Sequence, residues 1–515
     1  MSKKHITPVF TGSLIVSLIL VLLGIIVPRG FQSWTQILRE QVSTNFGWLY
    51  LLLVTSILAL CVFFIMSPLG QIRLGQPHSR PEYSTVSWIA MMFSAGMGIG
   101  LVFYGAAEPL SHFAISTPGA PKESQTALAD AFRFTFFHWG IHAWAVYALV
   151  ALALAYFGFR KQEKYLLSVT LKPLFGDKTD GWLGKIVDIT TVVATVIGVA
   201  TTLGFGAAQI NGGLSFLLGV PNNAFVQIVI ILITTALFVM SALSGLGKGV
   251  KILSNLNLIL AVALLALVIV LGPTVRIFDT LTESLGSYLQ NFFGMSFRAA
   301  AFDNTKRSLI DNWTIFYWAW WISWSPFVGV FIARISKGRS IREFLTVVLL
   351  IPTLLSFVWF AAFGTLSTQV QQLGTNLTKF ATEEVLFATF NHYTLGWLLS
   401  IIAIILIFSF FITSADSATY VLAMLTEDGN LNPKNRTKVI WGLVLAVIAI
   451  VLLLSGGLLA LQNVLIIVAL PFSFVMILMM LALLVELFHE KKEMGLSISP
   501  DRYPRKNEPF KSYEE

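Results

Sequence analysis

The chain has 515 residues, 56% of them hydrophobic and only 12% charged, with a net charge of +8. Soluble domains carry about 25% charged residues, so a soluble multidomain protein is excluded. No basic face with base-reading groups accompanies the positive charge, which argues against nucleic-acid binding.

Apolar stretches near 20 residues long recur along the whole chain, each able to cross a hydrocarbon core of about 30 Å. They predict an all-α integral membrane protein with spans at 11–27, 48–66, 85–105, 126–157, 186–218, 223–244, 253–272, 309–333, 343–366, 393–425, 437–455 and 462–488. Those at 126–157, 186–218 and 393–425 are longer than a bilayer requires, which predicts tilt or projection. The first span is too long for a typical secretory h-region and is followed by the others, so it is not read as a signal peptide.

Lys and Arg alternate between loops. Lys3, Lys4, Arg73, Arg80, Arg160, Lys161, Lys164, Lys248, Lys251, Arg334, Lys337, Arg339, Arg342, Lys434, Arg436, Lys438, Lys491 and Lys492 fall on one side. The opposite loops hold fewer, Lys122 and Lys379 among them. The positive-inside bias then predicts a cell-membrane protein with both termini cytoplasmic. Cys61 is the sole cysteine, which removes intrachain disulfides and Cys-based metal sites.

The predicted organisation is an N-terminal segment over 1–84 with two additional spans, a five-span unit over 85–272, a connection over 273–308, a second five-span unit over 309–488 and a tail over 489–515. The two five-span units start from opposite sides, as inverted repeats require. In the connection, Ile277, Phe278, Leu281, Leu285, Tyr288, Leu289, Phe292 and Phe293 recur at helical spacing. They fit either an amphipathic helix on the membrane surface or one packed on the outer ends of the spans. The tail mixes Lys491, Lys492, Arg502, Arg505, Lys506 and Lys511 with acids and reads as solvated, or as a contact for anionic membrane lipid.

Four segments carry candidate chemistry. Gly96, Gly98 and Gly100 lie close together in the third span. Gly96 and Gly100 suit close helix packing, while the third glycine points to a broken helix whose freed backbone groups bind solute and ion. The eighth span places Trp320, Trp321 and Trp324 near its centre, at spacings that gather their rings on one side. Interfacial belts put tryptophan at span ends, so that reading fails here. Pro326 follows and is expected to disrupt the helix ladder. The fourth span adds Trp139, Trp144 and Tyr147. Aromatic faces suit a cation whose charge lies under methyl groups, because such a cation donates no N–H hydrogen bond. The tenth span holds Thr413, Ser414 and Asp416. The two hydroxyls offer oxygens to a hard cation such as Na⁺. Asp416 is either functional or a cap or pair within the bundle. No phosphate-binding G-x-x-x-x-G-K-[ST] loop, H-E-x-x-H motif or T-V-G-Y-G filter is present, so transport would be driven by an ion gradient or by exchange.

Over nearly its full length the chain resembles the betaine/choline/carnitine transporter family. The resemblance rests on Phe316 through Gly329, running on through Ala333 to Arg339, and on the Ser94–Gly100 and Phe411–Ser417 segments. It implies about twelve spans, the last ten forming the five-plus-five repeat, and a homotrimeric assembly. It also implies an aromatic box of Trp320, Trp321 and Trp324, with Trp139, Trp144 and Tyr147 along the pathway and Ala95 and Met97 in the substrate set. One sodium would sit between the backbone of Ser94 and Met97 and the Phe410, Thr413 and Ser414 segment. A second proposed site would use Thr195 and Phe327, but Val199 stands where a hydroxyl is expected. The expected activity is Na⁺-coupled import of glycine betaine, with no organic cofactor and no enzymatic chemistry. A choline or carnitine carrier or exchanger, and an osmosensing channel, are the alternatives.

Overall fold

The computed structural model describes residues 7–96, 98–244, 247–303 and 306–495. Among these the fold is helical throughout, apart from an isolated antiparallel bridge between Arg73 and Ser340. The helices that position the site are α1 (Pro8–Ile26), α2 (Pro28–Met66), α3 (Thr85–Gly96), α4 (Ile99–Ala114), α5 (Gln125–Trp139), α6 (Ile141–Ala155), α7 (Trp182–Leu218), α8 (Ala224–Ser244), α9 (Gly247–Leu271), α10 (Thr274–Gln290), α11 (Ile315–Ile335), α12 (Ile341–Gln372), α13 (Gly396–Thr426) and α14 (Asn435–Glu493). Among the described residues, ten helices are long and apolar enough to cross a membrane.

Some boundaries differ from those read in the sequence. The segment expected as one span at 85–105 is two short helices, α3 and α4, with Gly98 in extended backbone between them. The helix break favoured by the third glycine is therefore present. α2 begins at Pro28 rather than near residue 48, with the proline in its first turn, and Arg39 in this added part donates to the Asp311 carbonyl. The segments expected at 437–455 and 462–488 both lie within α14, whose backbone turns sharply at Gly456 and Gly457. Gly457 has φ +63°, ψ −146°, a conformation that only glycine adopts without strain.

Pro326 does not break α11, which runs unbroken from Ile315 to Ile335. Proline cannot donate to the Ile322 carbonyl four residues back, and the Ser325 hydroxyl donates to that carbonyl instead, at 2.7 Å. The connecting helix α10 takes the packed form. Ile277, Ser284 and Tyr288 are buried against α5 and α12, while Phe278 and Leu289 stay exposed.

Burial sorts the spans. The most apolar windows of Gln125–Arg160, Trp182–Leu218 and Arg307–Ile335 are 94%, 83% and 89% buried, against 28% for Pro8–Ile26 and 22% for Ile252–Leu271. The first three are enclosed by protein and the others present flanks to lipid. Small residues let the enclosed helices approach closely, in place of a hydrophobic drive that lipid cannot supply. At Gly198 of α7 an added Cβ would lie 3.0 Å from the Trp324 ring of α11.

Candidate functional site

Where the α3–α4 break meets α5, α6 and α11, the structure encloses a cavity of about 50 Å³. Gly98, Gly100, Trp139, Trp144, Tyr147, Trp320, Trp321 and Trp324 line it. Every aromatic residue expected in the box is therefore brought together. Trp320 and Trp321 are nearly parallel, with centroids 5.2 Å apart and planes at 10°. Trp139 meets Trp321 edge-on at 4.9 Å, and Tyr147 approaches it at 6.0 Å.

The rings are fixed by their polar edges. Trp320 Nε1 donates to Thr202 Oγ1, Trp321 Nε1 to the His138 carbonyl and Trp324 Nε1 to the Gly198 carbonyl, each at 3.0 Å. Trp139 Nε1 donates to Glu108 Oε2 at 2.7 Å. With these four N–H groups engaged in the wall, the π faces of the four rings are what they can offer a ligand. Gly100 makes the packing possible, since an added Cβ would lie 2.9 Å from the ring edges of both Trp139 and Trp320.

A second cavity of about 130 Å³ continues from Trp324 and Val328. Ser94, Phe410, Thr413 and Ser414 line it, so most of the expected sodium set converges. Met97 lies outside the described residues, as do Lys3, Lys4 and residues 496–515 of the tail. Ala95 and Gly96 are the last two residues of α3. Asn257 of α9 joins the set unanticipated. Its Nδ2 donates to Thr413 Oγ1 at 3.0 Å, while its buried Oδ1 has no hydrogen-bond partner. A buried amide oxygen left unpaired beside hydroxyls fits a hard cation.

The second expected sodium pair is not drawn together in the same way. Phe327 lines the second cavity, but Thr195 does not line it, and its hydroxyl donates back to the Thr191 carbonyl at 2.8 Å. Val199 is buried and offers no side-chain oxygen.

Phe327, Phe331 and Ser417 pass from the second cavity into a vestibule of about 670 Å³. Arg334, Lys337 and Lys438 line this vestibule together with Asp416. Asp416 thus faces a polar opening and does not reach the box.

Sequence reading also missed Glu108, Tyr317 and Thr202, which hold the box from behind. Glu108 escaped because the third span was ended at residue 105, which left its carboxylate in a loop. A Glu-Pro pair inside an otherwise uncharged helix was the available signal.

A family model for betaine/carnitine/choline family transporters matches residues 8–492. The glycine betaine transporter OpuD of Bacillus subtilis is 53% identical over 99% of this chain and 100% of its own length. An ectoine/hydroxyectoine transporter of Virgibacillus pantothenticus is 43% identical over 92% of this chain and 95% of its own. A glycine betaine transporter of Acinetobacter baylyi is 42% identical over 91% and 71% respectively.

Proposed function

Because the chain belongs to the betaine/carnitine/choline transporter family, we propose that it imports glycine betaine by Na⁺ symport, through alternating access to the aromatic cavity. The observation that carries this reading is the box itself, with four tryptophans held by their N–H groups around one small space, which their rings line. A trimethylammonium group is bound by such faces through cation–π attraction. The substrate's carboxylate has a counterpart in the N-terminal end of α4, where Gly98 and Gly100 line the cavity and the helix dipole favours an anion. The cavities run from the box towards the vestibule, and the opposite side of the box is packed with rings, which supports an alternating mechanism over an open channel.

Thr413, Ser414, Asn257 and the backbone around Ser94 would hold the coupling sodium. Inward sodium movement gains about 2.3 kcal/mol per charge per 100 mV, a sufficient source for driving a zwitterion uphill. Counting α3–α4 as one discontinuous span, α5–α6 as one and α14 as two would make twelve spans, in keeping with a five-plus-five arrangement. We include this division, the cytoplasmic termini and a homotrimer in the proposal.

Saturable, Na⁺-dependent betaine uptake in proteoliposomes tests the reading, and ectoine, choline and carnitine serve as competitors to set the substrate range. Uptake that ignores sodium would exclude symport. Thr413→Ala and Ser414→Ala are each expected to raise the sodium concentration for half-maximal uptake several-fold, with betaine affinity at saturating sodium changing much less. Wild-type sodium dependence in both variants would place the ion elsewhere. Orientation is tested separately. Single cysteines at Lys161, Lys337 and Lys434, in a Cys61→Ser background, should react only with reagent on the cytoplasmic side. Labelling of the Lys337 position on intact cells would reverse the topology.

A further inference from the structure

The box is closed on the side away from the vestibule. Tyr317 lies one turn before the box tryptophans on α11 and stacks on Trp321, with centroids 5.6 Å apart and planes at 19°. Trp139, at the end of α5, meets both Tyr317 and Trp321 edge-on. These two rings form a roof, and one oxygen holds both. Glu108 Oε2, from α4, accepts from Trp139 Nε1 at 2.7 Å and from Tyr317 Oη at 2.5 Å.

The other carboxylate oxygen is also engaged. Oε1 lies 2.6 Å from His138 Nδ1 and 3.3 Å from His112 Nε2. His138 Nε2 lies 3.0 Å from Thr314 Oγ1, which brings a second residue of the α11 chain segment into the network. Glu108, His112 and His138 are fully buried. A carboxylate in the interior of a membrane bundle is costly unless its lone pairs are satisfied, and here every partner comes from the elements around the roof.

We propose that Glu108 is a positioning residue that latches the box shut on the side opposite the vestibule, by tying Trp139 of α5 to Tyr317 of α11 through a shared carboxylate oxygen. It touches no substrate. A solute entering from that side parts these two rings, and the shared oxygen resists their separation. Hydrogen bonds to an ionised acceptor are stronger than neutral ones, and losing one shifts an equilibrium about tenfold or more. The latch rests on the reading of the aromatic cavity as the solute site.

The test uses the full chain with Cys61→Ser and Ala143→Cys, since Ala143 is buried and lines the box. An impermeant thiol reagent is applied separately to each membrane face. Labelling from the vestibule face should be the faster in the parent protein. Tyr317→Phe removes one hydroxyl and keeps the ring, so it should raise labelling from the opposite face about tenfold without raising it from the vestibule face. Glu108→Gln, which keeps the volume and removes the charge, should act in the same direction and stands in if Tyr317→Phe does not fold. Unchanged labelling from the opposite face would overturn the latch. An equal rise from both faces would also overturn it, because a merely structural bond loosens the site without direction. The solute-site reading is scored apart from this, by protection. Glycine betaine should shield the introduced thiol, and 3,3-dimethylbutanoate, its carbon isostere that keeps the carboxylate and lacks the cationic charge, should not. Equal protection by the two would remove the cation box on which the latch depends, whatever the labelling rates show.

Discussion

Replacing Trp321 or Trp324 by alanine is expected to weaken glycine betaine binding about 30-fold or more. A desolvated cation–π contact contributes about 2 kcal/mol, which corresponds to about that factor. Both rings line the cavity, and both are oriented by an N–H bond to a backbone carbonyl, at His138 and Gly198. Phenylalanine should cost less than alanine, because a smaller π face remains, but it loses the bond that orients the ring. Equilibrium binding to purified protein measures the loss. Trp318 provides the packing control. It is fully buried on α11 but does not line the cavity, so Trp318→Phe should lower thermal stability with little change in affinity. A comparable affinity loss in Trp318→Phe would mean that packing, and not the cation, governs the result.

Gly100→Ala is expected to weaken betaine binding about tenfold, although it adds a single methyl group. The new Cβ would stand 2.9 Å from the ring edges of Trp139 and Trp320. Those rings cannot yield freely, because Glu108 and Thr202 hold their indole nitrogens. Overpacking of this kind costs about 1–3 kcal/mol. Gly98→Ala, two residues earlier, supplies the contrast. Nothing lies within 4 Å of a Cβ built there, so its effect on affinity should be much smaller. Matching losses at the two glycines would show that the helix break matters through its backbone alone, and that the ring contact is incidental.

The tenth-span hydroxyls show both the reach and the limit of reading a pattern. Thr413 and Ser414 stood out because paired hydroxyls in an apolar helix are conspicuous, and both line the second cavity. Asn257 meets them from α9, 156 residues away along the chain. Nothing in its own helix marks it, since an amide near the start of an apolar run, two residues after Asn255, is as consistent with packing as with a ligand. Asp416 was open between a functional role and a cap or pair within the bundle. Its charge made it the conspicuous acid, yet it faces the polar vestibule, while the buried carboxylate behind the box is Glu108.

Membrane class, helical content and the box tryptophans could be read from the sequence alone. Each depends on local quantities, namely the length of apolar runs and the spacing of rings along one helix. The glycine triplet likewise marked the broken span, because helix propensity is local. The helix ends were less well fixed. α2 starts well before the apolar run that marked it, and α11 passes through Pro326, where the Ser325 hydroxyl satisfies the carbonyl that proline leaves unpaired. Only the tertiary structure decided which rings share a cavity, which atoms orient them and which side of the cavity is shut. Those features join α4, α5, α7 and α11 through contacts such as Glu108 to Tyr317, 209 residues apart, and Trp320 to Thr202, 118 apart. A periodic pattern within one helix reports the direction a side chain takes. It holds no record of what the other helices bring to meet it.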